Sequence, residues 1–91
     1  MELRELVIDS NYMIFINHEI MRGLVDSSNN VFFLSRMPIL GSEHISVEGQ
    51  ELTPLSDYSI SGFIVTLVNP PFPNLSDIDG KGAPRANYRI N

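Results

Sequence analysis

The chain has no cysteine, no tryptophan and one lysine, and nowhere does it carry an apolar run long enough to span a membrane. Without cysteine there are no disulfides and no thiolate metal sites, so its 91 residues must be held by packing or by association with other chains. That suits assembly in a reducing cytoplasm. Six basic residues against eleven acidic ones give a net charge of -5, which leaves no surface fit to neutralise phosphates and makes nucleic acid a poor partner. The longest apolar stretch of the first half, 12–16, falls far short of the roughly 20 residues that cross a bilayer. Glu2 and Glu5 stand where a secretory signal would carry basic residues. These absences predict a soluble, unexported single domain with no membrane partner.

What is present is β-forming sequence. Residues 40–67 twice write a strand, a glycine turn and a second strand. Ile45 and Val47 alternate with His44, Ser46 and Glu48, then Glu48-Gly49-Gln50 reverses the chain and Leu52 returns it to the apolar face. Tyr58 and Ile60 alternate with Asp57, Ser59 and Ser61, and Ser61-Gly62 turns into the run 63–68, stopped by Asn69-Pro70-Pro71. Upstream, 2–8 suits a helical turn or a strand, and 12–16 is apolar on both parities, as in a strand covered on two sides. Asn17-His18-Glu19 interrupts it. A second apolar piece, 20–25, leads into a loop of turn formers at 26–30, and strand 31–34 is closed by Met37-Pro38.

Downstream, 69–84 has the makeup of a long surface loop, with 74–83 expected to order only against a partner. In 85–90, Ala86, Tyr88 and Ile90 share one parity and Arg85, Asn87 and Arg89 the other, the pattern of an edge strand with a cationic outer face. The expected fold is all-β: a small antiparallel β-sandwich built from consecutive hairpins, with a short N-terminal extension. Residues 1–18 form the strand or arm, and 19–91 the sandwich with its long loop at 69–84.

The chemistry-bearing residues do not assemble into a reactive set. His18 and His44 lack ligand partners at zinc spacing. Asp77-Ile78-Asp79-Gly80 matches the start of a calcium loop but lacks the third ligand and the closing bidentate glutamate, so it reads as an acidic turn. Asn74-Leu75-Ser76 is a chance match to a glycosylation acceptor in a chain without an export signal. Ser59 and Ser61 have no base placed beside them, and Glu43, Glu48 and Glu51 read as a solvated rim. Tyr58 and Tyr88 point inward, with hydroxyls expected to reach backbone partners. No enzyme, cofactor or metal is expected.

The order GLVDSSNNVFFL, PILGSEHISVEGQEL and SDYSISGFIVTLVNPP, closed by a tyrosine strand, resembles a domain that recurs in tailed-bacteriophage virion proteins. Gly23, Asn30, Phe32, Leu34, Pro38, Gly41, Ser42, Gly49, Asp57, Tyr58, Ser61, Gly62 and Pro70 occupy the pattern's positions, and the likeness runs from about 19 to 88. Two departures stand out: Glu48 replaces the asparagine usual before the turn glycine, and the stretch 74–83 is longer than the pattern's linker. The resemblance implies a virion protein assembled in the host cytoplasm, a connector of tail, neck, baseplate or fibre components. Its implied partners are other virion proteins and symmetric copies of itself.

A surplus of apolar groups points the same way. If Phe32 and Leu34 face the core, Phe33 faces outward, and if Val65 and Leu67 do, Phe63 and Ile64 do not both fit inside. The interface candidates are Tyr12, Ile14, Phe33, Phe63, Phe72, Arg85 and Arg89. A carbohydrate-binding module is the rival, with Phe72 and Tyr12 as stacking candidates and the lack of tryptophan against it. A regulatory or toxin-related small protein is a third class.

Overall fold

The computed structural model describes residues 14–91. In them the chain forms β1 (Ile14–Ile20), β2 (Val31–Phe33), β3 (His44–Val47), β4 (Gln50–Glu51), β5 (Tyr58–Ser61), β6 (Ile64–Leu67) and β7 (Arg85–Ile90). All pairings between these strands are antiparallel, and they make a four-stranded sheet of order β1-β7-β3-β4 and a three-stranded sheet of order β2-β6-β5. Tyr12, one of the interface candidates, lies outside the described residues.

Two short turns explain the hairpins. Val47 pairs with Gln50, leaving Glu48 (φ 55) and Gly49 (φ 80) as the loop. Positive φ at both central positions is the type I′ pattern, whose twist matches that of the flanking strands. Glycine enters this region freely, whereas a glutamate there gives up about 1 kcal/mol. Across the other hairpin Ser61 pairs with Ile64, and only Gly62 (φ 62) of the two loop residues has positive φ, as in type II′. Phe63 is thus a turn residue, and, as expected, it and Ile64 are not both inside: both are exposed.

The C-terminal segment corrects an expectation. β7 lies between β1 and β3 and is no edge strand. Its alternation is as anticipated, with Ala86, Tyr88 and Ile90 buried, but alternation reports the two faces of a strand and carries no information about its neighbours.

β1 holds the second correction. Its register with β7 runs Ile14 to Ile90 and Ile16 to Tyr88, then shifts so that Glu19 opposes Ala86. Three steps on β1 match two on β7, which makes a β-bulge, and His18 there has φ 55. The Asn17-His18-Glu19 interruption therefore bends the strand without ending it, and β1 runs through the 18/19 point where the arm was expected to meet the sandwich. The extra residue also reverses the parity that follows. Glu19 turns inward, where its carboxylate accepts from the Tyr88 hydroxyl and from Ser35 N at 2.7 Å.

The core lies between the sheets. Phe32, Leu34, Tyr58, Val65 and Leu67 from the three-stranded side meet Ile45, Ala86, Tyr88 and Ile90 from the four-stranded side, all buried. Both tyrosine hydroxyls donate to carboxylates, Tyr58 to Glu43 at 3.0 Å and Tyr88 to Glu19, and the Tyr88 hydroxyl also lies beside the Arg36 backbone. The phenol keeps its proton because it is buried and faces a carboxylate. Burial first, and the adjoining carboxylate second, push Tyr58 and Tyr88 above the ordinary tyrosine value.

The segment after β6 carries hydrogen bonds of its own within the chain. Asn74 N donates to Lys81 O (2.9 Å), Asp77 N to Asn74 O (3.1 Å) and Lys81 N to Asp77 O (2.7 Å). Gly82 (φ 99) packs directly on the strip it crosses: a Cβ there would overlap the Phe72 carbonyl and come within 2.9 Å of Asn74 N.

Candidate functional site

Between the β3–β4 hairpin and the strip 69–74 lies a cleft of about 430 Å³. Val47, Leu52, Pro70, Pro71, Phe72 and Pro73 make its walls, and Glu48, Gln50, Asp57, Asn69 and Asn74 its polar lining. The sequence builds it locally. Three prolines in 70–73 cannot donate to a ladder, so the chain leaves the sheet after β6 and stands off as an extended wall. The left-handed Glu48 brings its carboxylate to that wall, where Oε1 accepts from Asn74 Nδ2 at 2.7 Å. Asp57 Oδ2 accepts from Thr53 N at 2.7 Å and its carbonyl accepts from Val68 N at 2.8 Å, tying the cleft floor to the end of β6. Phe72, although framed this tightly, is 70% exposed.

Twelve large apolar side chains are exposed among the described residues, and they occupy separate surfaces. Met37 and Leu40 flank a smaller hollow of about 220 Å³ that also includes Pro38, Glu43, Ile60 and Gly62. Ile14 and Phe15 sit on β1, opposite Ile90 and Arg89. Val68, Phe72, Leu75 and Ile78 follow the strip.

The interface candidates therefore do not form one patch. Ile14 is exposed, and Arg89 lies over the Phe15 ring at 5.9 Å from its centre, a cation–π contact on the outer face of the four-stranded sheet. Phe63 is exposed at the β5–β6 turn and Phe72 at the cleft. Phe33 is only half exposed, and its backbone exchanges bonds of 2.8 and 3.0 Å with Arg22, which closes the free side of β2 at that residue. Arg85 is half-buried and engaged inside the chain, with its guanidinium 2.6 Å from Asp77 Oδ1.

Asp77 also accepts from Gly82 N (3.0 Å) and Gly80 N (3.3 Å), and these contacts, Gly82's above all, hold its carboxyl below the usual range. The acidic turn is a structural clasp with its carboxylate already occupied. His44 is exposed beside Glu51, with Nδ1 2.8 Å from Oε2. Among the described residues no three His, Asp or Glu side chains gather as a metal site. No helix there is long and apolar enough to cross a membrane.

The cleft was not anticipated as a unit. The sequence reads Glu48 as solvated rim and Asp57 as a strand flank, and of the lining only Phe72 is an interface candidate. The available signal was Phe72 itself, an aromatic residue between two prolines with no strand partner to cover it. Comparison of the chain with protein-family models, with curated proteins and with solved structures found no match.

Proposed function

We propose that this chain is a non-catalytic assembly domain, a connector that joins components of a tailed-phage tail, neck, baseplate or fibre in multiple copies. The observation that carries this reading is that the core closes completely while Ile14, Phe15, Met37, Leu40, Phe63 and Phe72 remain in water on several separate surfaces. Exposed apolar groups that gather beside a hollow suit contact with a partner, and two such places exist, Phe72 with the proline wall and Met37 with Leu40, which suits a domain gripped from more than one side. The virion placement is supported by the sequence pattern. Its residues hold turn and core positions here, with Phe32, Leu34 and Tyr58 buried and Gly41, Gly49 and Gly62 at positive φ.

The test is quantitative mass spectrometry of density-purified particles. The chain should occur in a fixed ratio to a tail or neck component, and a Phe63→Ser variant that folds normally should be excluded from particles. Absence of the wild-type chain from particles refutes the reading. A glycan-binding role is the second reading, favoured by one observation: the exposed Phe72 lines the cleft together with Asn69 and Asn74. Glycan-array binding lost in Phe72→Ala would establish it.

A further inference from the structure

The cleft beside Phe72 is framed by contacts within the chain, and its chemistry is one-sided. The strip is fixed at its back by the Gly82 crossing and the Asn74–Lys81 bond, and at its front by Asn74 on Glu48, so the exposure of Phe72 is a feature of the folded framework. Glu48 reaches its place only in a left-handed conformation that glutamate disfavours, and strain of this kind tends to persist where a side chain must be aimed. The lining contains two carboxylates, Glu48 and Asp57, and neither a lysine nor an arginine. One oxygen of each is used within the chain, Glu48 Oε1 by Asn74 and Asp57 Oδ2 by Thr53, and among the described residues the other oxygen of each has no donor.

We propose that the cleft receives a protein partner through an apolar side chain seated against Phe72 and the proline wall, flanked by lysine or arginine residues that pair with Glu48 and Asp57. Charge selects this occupant. A second copy of the chain would bring another net charge of -5 to an acidic rim, which disfavours self-association there, whereas a basic flank is attracted and steered. The wall is extended and proline-stiffened, so little ordering is needed on binding. The proposal rests on the connector reading in taking the occupant to be a protein.

The probe is a blocked heptapeptide alternating lysine and leucine, titrated into the isotope-labelled full chain and followed by backbone amide shifts. The matching peptides with glutamate for lysine, and with serine for leucine, serve as controls. Shifts should gather at Val47, Glu48, Leu52, Phe72 and Asn74, weaken with added salt, and be absent for both controls. Phe72→Ala, which alters an exposed group, should leave the rest of the spectrum unchanged and lower affinity about tenfold. Glu48→Gln and Asp57→Asn should weaken lysine-peptide binding while preserving the acceptor atoms that Asn74 and Thr53 use.

Equal binding of the glutamate peptide, shifts located elsewhere, or undiminished binding by folded Phe72→Ala would overturn the proposal. So would cleft shifts produced by protein concentration alone, indicating a second copy, or by a neutral oligosaccharide in place of the peptide. Particle content is measured independently: a chain missing from particles that still binds the peptide defeats the virion reading and leaves the cleft assignment standing.

Discussion

The β3–β4 and β5–β6 hairpins and the seam between β1 and β7 use the same antiparallel ladder, but they are specified at different distances along the chain. Each hairpin closes over two residues, and its register follows from the φ values of Glu48-Gly49 or of Gly62. The seam joins Ile14 to Ile90, and its details depend on contacts 69 residues apart: His18 N donating to Asn87 Oδ1 at 2.7 Å, and Tyr88 donating to Glu19. Local ladders are set by turn chemistry, whereas the remote one is set by side chains that must find each other late. Closing a long loop costs entropy before any contact rewards it, so the seam is expected to form after the hairpins.

The largest effect should come from the crossing that holds the strip before β7. Gly82→Val should cost about 3 kcal/mol, because a side chain there meets backbone atoms and the φ of 99 disfavours a branched residue. The urea midpoint measures it. If the seam forms late, the loss should appear mainly as faster unfolding in stopped-flow kinetics. An equally large slowing of folding would place the crossing in the nucleus and remove the distinction.

Next is Tyr88→Phe, expected to cost about 2 kcal/mol by leaving the inward Glu19 carboxylate without its hydroxyl donor. Both phenols have folded values raised above 10.0, so their stabilisation is complete below pH 10 and is lost as pH rises through the folded values. The variant should therefore lose less stability between neutral and strongly alkaline pH than the parent does. An unchanged alkaline profile would mean that the hydroxyl makes no such contribution.

Gly49→Val should cost at least about 1 kcal/mol and should act on the folding rate, because the turn belongs to a local ladder. An unaltered folding rate would erase the kinetic contrast with Gly82. The smallest effect is that of Asp77→Asn, visible chiefly in acid. The folded Asp77 value is lowered, so its stabilisation is present above the ordinary value of 3.8 and is lost as pH falls through the folded value. The variant should show a shallower acid decline, by circular dichroism, than the parent.

The same division of distance explains what could be read from the residues. The hairpins, the buried Phe32, Leu34, Val65 and Leu67, and the inward Ala86, Tyr88 and Ile90 followed from alternation and glycine placement. The central place of β7 did not, because nothing in six alternating residues names their neighbours. Arg85 read as an outward charge because its partner Asp77 sits in a loop whose path depends on Gly82. The cleft escaped because it joins a turn at 48 to a strip at 69–74, and only the folded chain puts them together. The hydroxyl partners escaped for a related reason: Glu19 has the wrong parity for an inward position until the bulge is known.

That bulge makes β1 a strand written in two phases. Ahead of it the core-facing parity is even, with Ile16 partly buried, and behind it odd, with Glu19. A deletion of Asn17 or His18 would leave the composition almost untouched, yet everything upstream would be rotated to the opposite face or Glu19 expelled to water. Length at this point is thus under tighter restriction than residue type, the reverse of what holds in an ordinary surface loop. A relative that lacks the extra residue should reveal itself by a compensating change, an apolar group in place of Glu19 together with a phenylalanine in place of Tyr88.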